Sequence, residues 1–180
     1  MLTNLGKKIF AAASQGILPY VSYTASTSVP AYLPFKDNTG SDFYTVPRFY
    51  NNIGFTPITE ITGEGGVAFG SGTTAPTVND YTIEHLLTDI SATVTSAASR
   101  VDPVTGNYTN YVDFVISNNT ESEITVSEIC RFGNFRVSTT LGGNLTTTLK
   151  NGLIDRVVLA NPVVIPSGSA GTIRYELVIG

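Results

Sequence analysis

The chain is poor in the residues that most site chemistry requires. It holds one cysteine, Cys130, and one histidine, His85. A lone cysteine forms no internal disulfide, and without a CxxC or a Cys/His pairing there is no zinc ligand set. Charge is scarce as well: Asp, Glu, Lys and Arg make up 13% of the 180 residues. That is about half the share usual for soluble domains. The ten basic residues are scattered and the formal net charge is −4, so no basic stripe exists to neutralise phosphates. Nucleic-acid binding is therefore not expected. No window approaches the ~20 apolar residues of a membrane helix, so no membrane partner is expected. The opening MLTNLGKKIFAAASQGILPYV has Lys7, Lys8 and an AAAS run. Its apolar segment is too short for a signal peptide and reads as mature chain. Three N-x-T sequons, at Asn107, Asn118 and Asn144, carry little weight without a secretory signal.

What the chain has in abundance is Thr, Ser and aromatic residues, a composition that favours strands over helices. From residue 65 onward, strand-like runs alternate with turn residues. GGVAFG (65–70) is a short strand whose glycines allow close backbone approach. YTNYVDFVIS (108–117) alternates with Val112, Phe114 and Ile116 on one face. ITVSEICRF (124–132) places Ile124, Val126, Glu128, Cys130 and Phe132 on one face if the alternation is unbroken. Residues 156–160 and 163–165 read as strand pieces either side of Pro162, and GTIRYELVIG sets Ile173, Tyr175, Leu177 and Ile179 against Thr172, Arg174 and Glu176. PSGSAG (166–171) is the turn before that last strand. The expected class is all-β, an antiparallel β-sandwich of jelly-roll or immunoglobulin-like type.

The first third reads differently. Asn4 can cap a short helix over 5–13, with Leu5 and Ile9 on one face. Residues 17–62 carry Pro19, Pro30, Pro34, Pro47 and Pro57 and many aromatics without steady alternation. Such a stretch wraps a surface or reaches to a neighbour, so the expected division is a helix and extended arm over 1–62 and a sandwich domain over 63–180. In KDNTGSDF, Asp37, Asn38 and Asp42 miss the EF-hand register and read as a solvated turn.

Motifs that resemble chemistry read as architecture. GSGTTA (70–75) fits G-x-G-x-x-A, yet the dinucleotide fingerprint needs a helix directly after the glycines inside a βαβ unit, and here Pro76 follows. Thr77 is placed to cap the turn VNDY with Asp80 three residues on, as in a capping box, making the segment a strand-to-helix connector. His85 beside Glu84 and four residues before Asp89 is the sole His/carboxylate dyad, and it more simply reads as a surface or packing residue. No G-x-S-x-G elbow surrounds a serine. Cys130 reads as a small buried hydrophobe. Glu128 on a strand face needs a partner, which Arg156 or Arg136 could supply. No catalytic, cofactor or metal residues are expected.

VAFGSGTTAPTVNDYTIEHL, then ITVSEICRF, then LIDRVVLANPVVIPSGSAGTIRYELVI follow an order of motifs. A strand ends in GxGTTxPTxxDYxLE, an I-x-x-S-E-I strand follows, and an R-x-x-L/P/I/G strand pair leads to a Tyr- and aliphatic-rich final strand. In this the chain resembles small structural virion proteins of tailed bacteriophages, over 65–180 and in its LTNLGKKIFAA opening. It departs from that pattern at Cys130, where glycine is expected, and at Arg131, where an aliphatic is expected. The resemblance implies a non-enzymatic virion subunit: a capsid decoration, head-fibre, neck or tail component. It also implies a homo-oligomer, with capsid, portal, neck or tail proteins as further partners. The alternative is a carbohydrate- or receptor-binding module with Tyr44, Phe49 and Tyr50 as a sugar-stacking platform; a hydrolase resting on His85 is a third.

Overall fold

The computed structural model of the protein describes residue 3 and residues 33–45, 55–61, 65–141 and 144–179. Eight strands follow in order: β1 (Leu33–Lys36), β2 (Asp42–Thr45), β3 (Gly66–Gly70), β4 (Ile90–Val101), β5 (Tyr108–Asn118), β6 (Ile124–Leu141), β7 (Asn144–Ile165) and β8 (Ala170–Ile179). They form a β1-β2 hairpin and two three-stranded sheets, β3-β6-β7 and β4-β5-β8, with every strand pair antiparallel. The all-β class follows directly. The helix expected over 5–13 lies outside the described residues.

The period-2 patterns land as the sequence predicts in β5 and β8. Val112, Phe114 and Ile116 are buried, as are Ile173, Tyr175 and Leu177, while Thr172, Arg174 and Glu176 between them are exposed. These side chains meet Val67 and Phe69 of β3 and Val126 and Ile129 of β6 in one apolar cluster shared by the two sheets. The Phe69 and Phe114 rings pack edge to face at 5.1 Å. Withdrawing a phenylalanine from water in this way contributes roughly 2–3 kcal/mol.

β6 departs from simple alternation, and the departure builds the candidate site. Its register with β7 shifts between Val126 and Glu128, a β-bulge. There Ser127 of β6 stands against residues 159–162 of β7, and the irregularity reverses which side chains of β6 point inward. Ile124 and Val126 therefore join Ile129 at the shared core, whereas Glu128, Cys130 and Phe132 face the other side of the sheet. The single face expected for all five is thus split in two. On β7 the two expected pieces are one strand, because residues 159–162 are the unopposed part of the same irregularity: Val158 pairs with Glu128 and Val163 with Val126. Pro162, which has no N–H to donate, sits where no ladder bond is needed.

Residues 71–89 contain turns and bends and no helix, so the expected helix start after Thr77 is not formed. The capping chemistry is present without the helix. Thr77 donates its N–H (2.9 Å) and its hydroxyl (2.6 Å) to the Asp80 carboxylate, and Asp80 N–H donates to Thr77 O at 3.3 Å. The Asp80 side chain is also tied to a distant arginine, Arg156.

The described part of 17–62 is bound to the sheets. The β1-β2 turn is organised by Asp37, whose Oδ1 accepts the N–H groups of Thr39 (2.9 Å) and Ser41 (3.0 Å) and the Thr39 hydroxyl (2.6 Å). Asp37 is 1% exposed, whereas Thr39 and Ser41 are exposed and Asn38 half-buried, so the turn is the expected solvated one except at Asp37. Asn38 N–H reaches the Asn151 carbonyl of β7 at 3.0 Å. Farther along, Val67 N–H donates to Thr56 O and Ile58 N–H to Val67 O, both at 2.8 Å, covering the outer edge of β3. A Cβ on Gly66 would collide with that Thr56 carbonyl, so the close backbone approach read from the glycines is realised here.

Candidate functional site

The bulge turns Glu128 onto the face of the β3-β6-β7 sheet that looks away from the shared core, and there its side chain is fully buried. A carboxylate without water needs a charged partner, because an isolated buried ion costs several kcal/mol. Arg156 of β7 supplies it: Nε donates to Glu128 Oε1 at 2.5 Å. The rest of the guanidinium fork points to the 71–87 segment. Nη1 reaches Asp80 Oδ2 at 2.8 Å and Nη2 reaches Glu84 Oε2 at 3.2 Å. Of the two partners that Glu128 could have from the sequence, the structure selects Arg156.

The segment is fastened at further points. Glu84 N–H donates to the Glu128 carboxylate at 3.2 Å, and Glu84 accepts the Thr74 hydroxyl (2.8 Å) and N–H (3.1 Å). Ser71 N–H donates to His85 O and Leu87 N–H to Phe69 O, both at 2.9 Å, so the returning chain pairs with the end of β3. Under this strap lies a second apolar cluster of Ala68, Ile83, Cys130, Phe132 and Leu153. The G-x-G motif is explained by clearance. A Cβ on Gly72 would collide with Glu128 Oε2 and lie 2.6 Å from Glu84 Cβ, and one on Gly70 would lie 2.7 Å from the His85 carbonyl. The glycines make room for a buried carboxylate of the chain itself.

Three carboxylates surround one guanidinium, so one positive charge meets three negative ones. The imbalance is bearable because Asp80 and Glu84 sit at the rim, with side chains 18% and 33% exposed. Burial works against the Arg156 charge, but the hydrogen bonds it donates to Asp80 and Glu128 and their negative charge outweigh it and raise its pKa. Burial likewise opposes the Asp80 charge, and its Thr77 and Arg156 bonds overcome this and lower its pKa. The Thr74 bonds lower that of Glu84. Cys130 Sγ lies 3.6 Å from Glu128 Oε1, and burial, then the Glu128 charge, pushes the thiol well above its ordinary range. A thiol held protonated is no nucleophile.

A second ionic group occupies the opposite face of the same sheet. Arg131 and Asp155 are cross-strand partners, Tyr175 OH donates to Asp155 Oδ2 at 2.6 Å, and the Arg131 guanidinium lies 4.6 Å from the centre of the Phe55 ring. Burial lowers the Arg131 pKa against the pull of Tyr175 and Asp155, and burial then the Asp155 charge raises that of Tyr175. This group was missed in the sequence reading. Its signal was the Asp155-Arg156 pair inside the apolar run LIDRVVL, where adjacent strand residues must serve opposite faces.

The other sequence candidates are not brought together. His85 is exposed, and no hydrogen bond joins its ring to Glu84 or Asp89 among the described residues. Glu84 is taken by Thr74 and Arg156, and Asp89 accepts the Thr88 hydroxyl at 3.2 Å. Tyr44 lies in β2, its backbone opposite Pro34. Its side chain, and all of Phe49 and Tyr50, lie outside the described residues. The Asn118 sequon is built into the fold: the 1% exposed side chain donates through Nδ2 to Ser122 O (2.7 Å) and Ile165 O (2.9 Å). Among the described residues no group of three or more His, Cys, Asp or Glu is arranged to hold a metal. Where Asp80, Glu84 and Glu128 meet, a guanidinium stands at the centre.

No family model, no curated protein and no solved structure matches the chain.

Proposed function

We propose that the chain is a non-enzymatic structural subunit of a tailed-bacteriophage virion, acting through symmetric protein-protein contacts as a capsid decoration, head-fibre, neck or tail component. In this reading the two sheets with a common core are a β-sandwich of jelly-roll or immunoglobulin-like type, and the subunit assembles with its own copies and with other virion proteins.

The observation that carries the proposal is the role of the segment on which the resemblance rests. Within GSGTTAPTVNDYTIEHL, Gly70 and Gly72 provide clearance, Thr74 and Thr77 hold carboxylates, and Asp80 and Glu84 grip Arg156. Residues that resemble a phosphate loop or an acid/base set are thereby occupied in fastening the chain to itself. A scarcity of charge suits a subunit that buries much of its surface against neighbours.

The test is mass-spectrometric quantification of the chain in purified particles of the phage whose genome carries the gene. A fixed copy number per particle, a multiple of three, five or six, is expected. Absence from washed particles, together with specific binding on a glycan array, would replace this reading with the carbohydrate-binding module.

A further inference from the structure

Each of the two three-stranded sheets has two outer edges, and three of these four are managed. The β3 edge is covered by residues 56–58. The β7 carbonyls of Asn151 and Ile154 accept the N–H groups of Asn38 and Thr3 at 3.0 Å. β8 carries exposed charges, Arg174 and Glu176. β4 is different. Its twelve residues, ISATVTSAASRV, contain no proline or lysine and a single charge, Arg100, and among the described residues nothing pairs with its outer edge. Residues 93–101 are exposed on both faces of the strand, including Val94 at 43% and Val101 at 61%. Such an edge is a ready template for another strand.

We propose that β4 pairs with β4 of a second copy, antiparallel about a two-fold axis at Ala98, joining the two β4-β5-β8 sheets into one six-stranded sheet. A two-fold normal to a sheet sets a residue against itself and keeps each face continuous. Ser96, Ala98 and Arg100 stand opposite Asp113, Tyr111 and Thr109 of β5, and so share one face. With Ala98 at the axis, the alanines and serines of 96–99 let the backbones approach, and Arg100 of one copy faces Ser96 of the other. The Ser96 hydroxyl donates to Asp113 at 2.7 Å.

Charge favours this register. On that face each subunit carries Asp113 and Glu176 with Arg100 and Arg174, and Arg174 grips Asp113 through two bonds of 2.7 and 2.9 Å. A subunit's own Arg100 cannot reach Asp113: their β5 positions, 109 and 113, are about 13 Å apart along the strand. The partner's Arg100, directly across from Ser96, can reach it, so the Arg100 of each copy would meet the Asp113 of the other.

This inference rests on the assembly reading but is tested apart from it, on the isolated full chain. The variant A98C treated with a short bismaleimide linker is expected to give a covalent dimer, and T172C on the opposite edge strand is not. Cys130 is fully buried and stays silent. Light scattering of the wild type is expected to show a concentration-dependent dimer, weakened at least tenfold in A98K and in R100E with unchanged circular dichroism and melting temperature. A wild-type chain that stays monomeric at every concentration, no more cross-linking at A98C than at T172C, or a dimer indifferent to A98K would overturn the pairing. A chain found in virions without the A98C cross-link would leave the assembly reading standing and remove the β4 contact. A cross-linked dimer absent from particles would do the reverse.

Discussion

Arg156 holds together three parts of the chain that are far apart in sequence, β6, β7 and the 71–87 strap, and this makes it the most consequential side chain in the described structure. Arg156→Met should destabilise by about 3–5 kcal/mol in urea unfolding, because it leaves Glu128 in the interior without a charge to oppose its own. Glu128→Gln in the same background should recover part of that loss, since the residue left behind no longer carries a charge. A double-mutant cycle with no coupling between the two would refute the clamp. The two kinds of glycine should separate cleanly. Gly72→Ala meets packed atoms of Glu128 and Glu84 and should cost about 1–3 kcal/mol. At Gly106 nothing lies within 4 Å of an added Cβ, so Gly106→Ala meets only its left-handed φ of 73° and should cost about 1 kcal/mol.

At the scale of elements, the exposed face of β4-β5-β8 gives a pH signature. Arg174 and Ser96 hold the Asp113 carboxyl down to about 2. In the unfolded chain an aspartate titrates near ~3.9. A carboxylate whose folded pKa is depressed contributes stability above its unfolded pKa and loses it as the pH falls through the folded one, so this contribution should fade between about pH 4 and pH 2. Asp80 and Glu84 are lowered as well and steepen the same limb. Asp113→Asn should flatten the decline of melting temperature with acid across that window; an unchanged slope would count against the Arg174 pair. Residues 55–61 make a second case. Phe55 packs on the shared core, its ring 6.0 Å from that of Tyr175 and beneath Arg131. Phe55→Ala should cost about 2 kcal/mol, less than for a fully buried ring because Phe55 is half-buried.

The molecule as a whole is organised around the β3-β6-β7 sheet, which carries an ionic group on each face: Glu128 with Arg156 on one, Arg131 with Asp155 on the other. One group anchors the strap and the other seats Phe55, so segments before and after β3 are pinned to the same two long strands. Removing residues 17–62 should therefore do more than shorten an arm. It would uncover the β3 edge, remove the β1-β2 hairpin from β7 and leave Arg131 without its aromatic cover. The expected result is loss of the cooperative unfolding transition, and a truncated chain melting as the full one does would refute it. In amide exchange the strap amides of Ser71, Glu84 and Leu87 should be protected together with β3, as one cooperative unit.

Composition and period-2 patterning alone carried the strand class, the inward faces of β5 and β8, and the need of Glu128 for an arginine, because each depends on local geometry or on the cost of burying one charge. The reciprocal bonds of Thr77 and Asp80 were legible for the same reason: they span three residues. The tertiary structure decided the rest. Whether Glu128 shares a face with Val126 depends on the register irregularity at Ser127, which a pattern of apolar positions does not show. That the turn at Thr77 is fastened by Arg156, seventy-six residues away from Asp80, lies beyond any local pattern. The buried role of Asp37, the cover on the β3 edge and the pairing of Arg131 with Asp155 likewise arise from contacts between separate segments of the chain. Sequence periodicity reports which way a side chain points relative to its neighbours, and only the packed fold determines what it meets there.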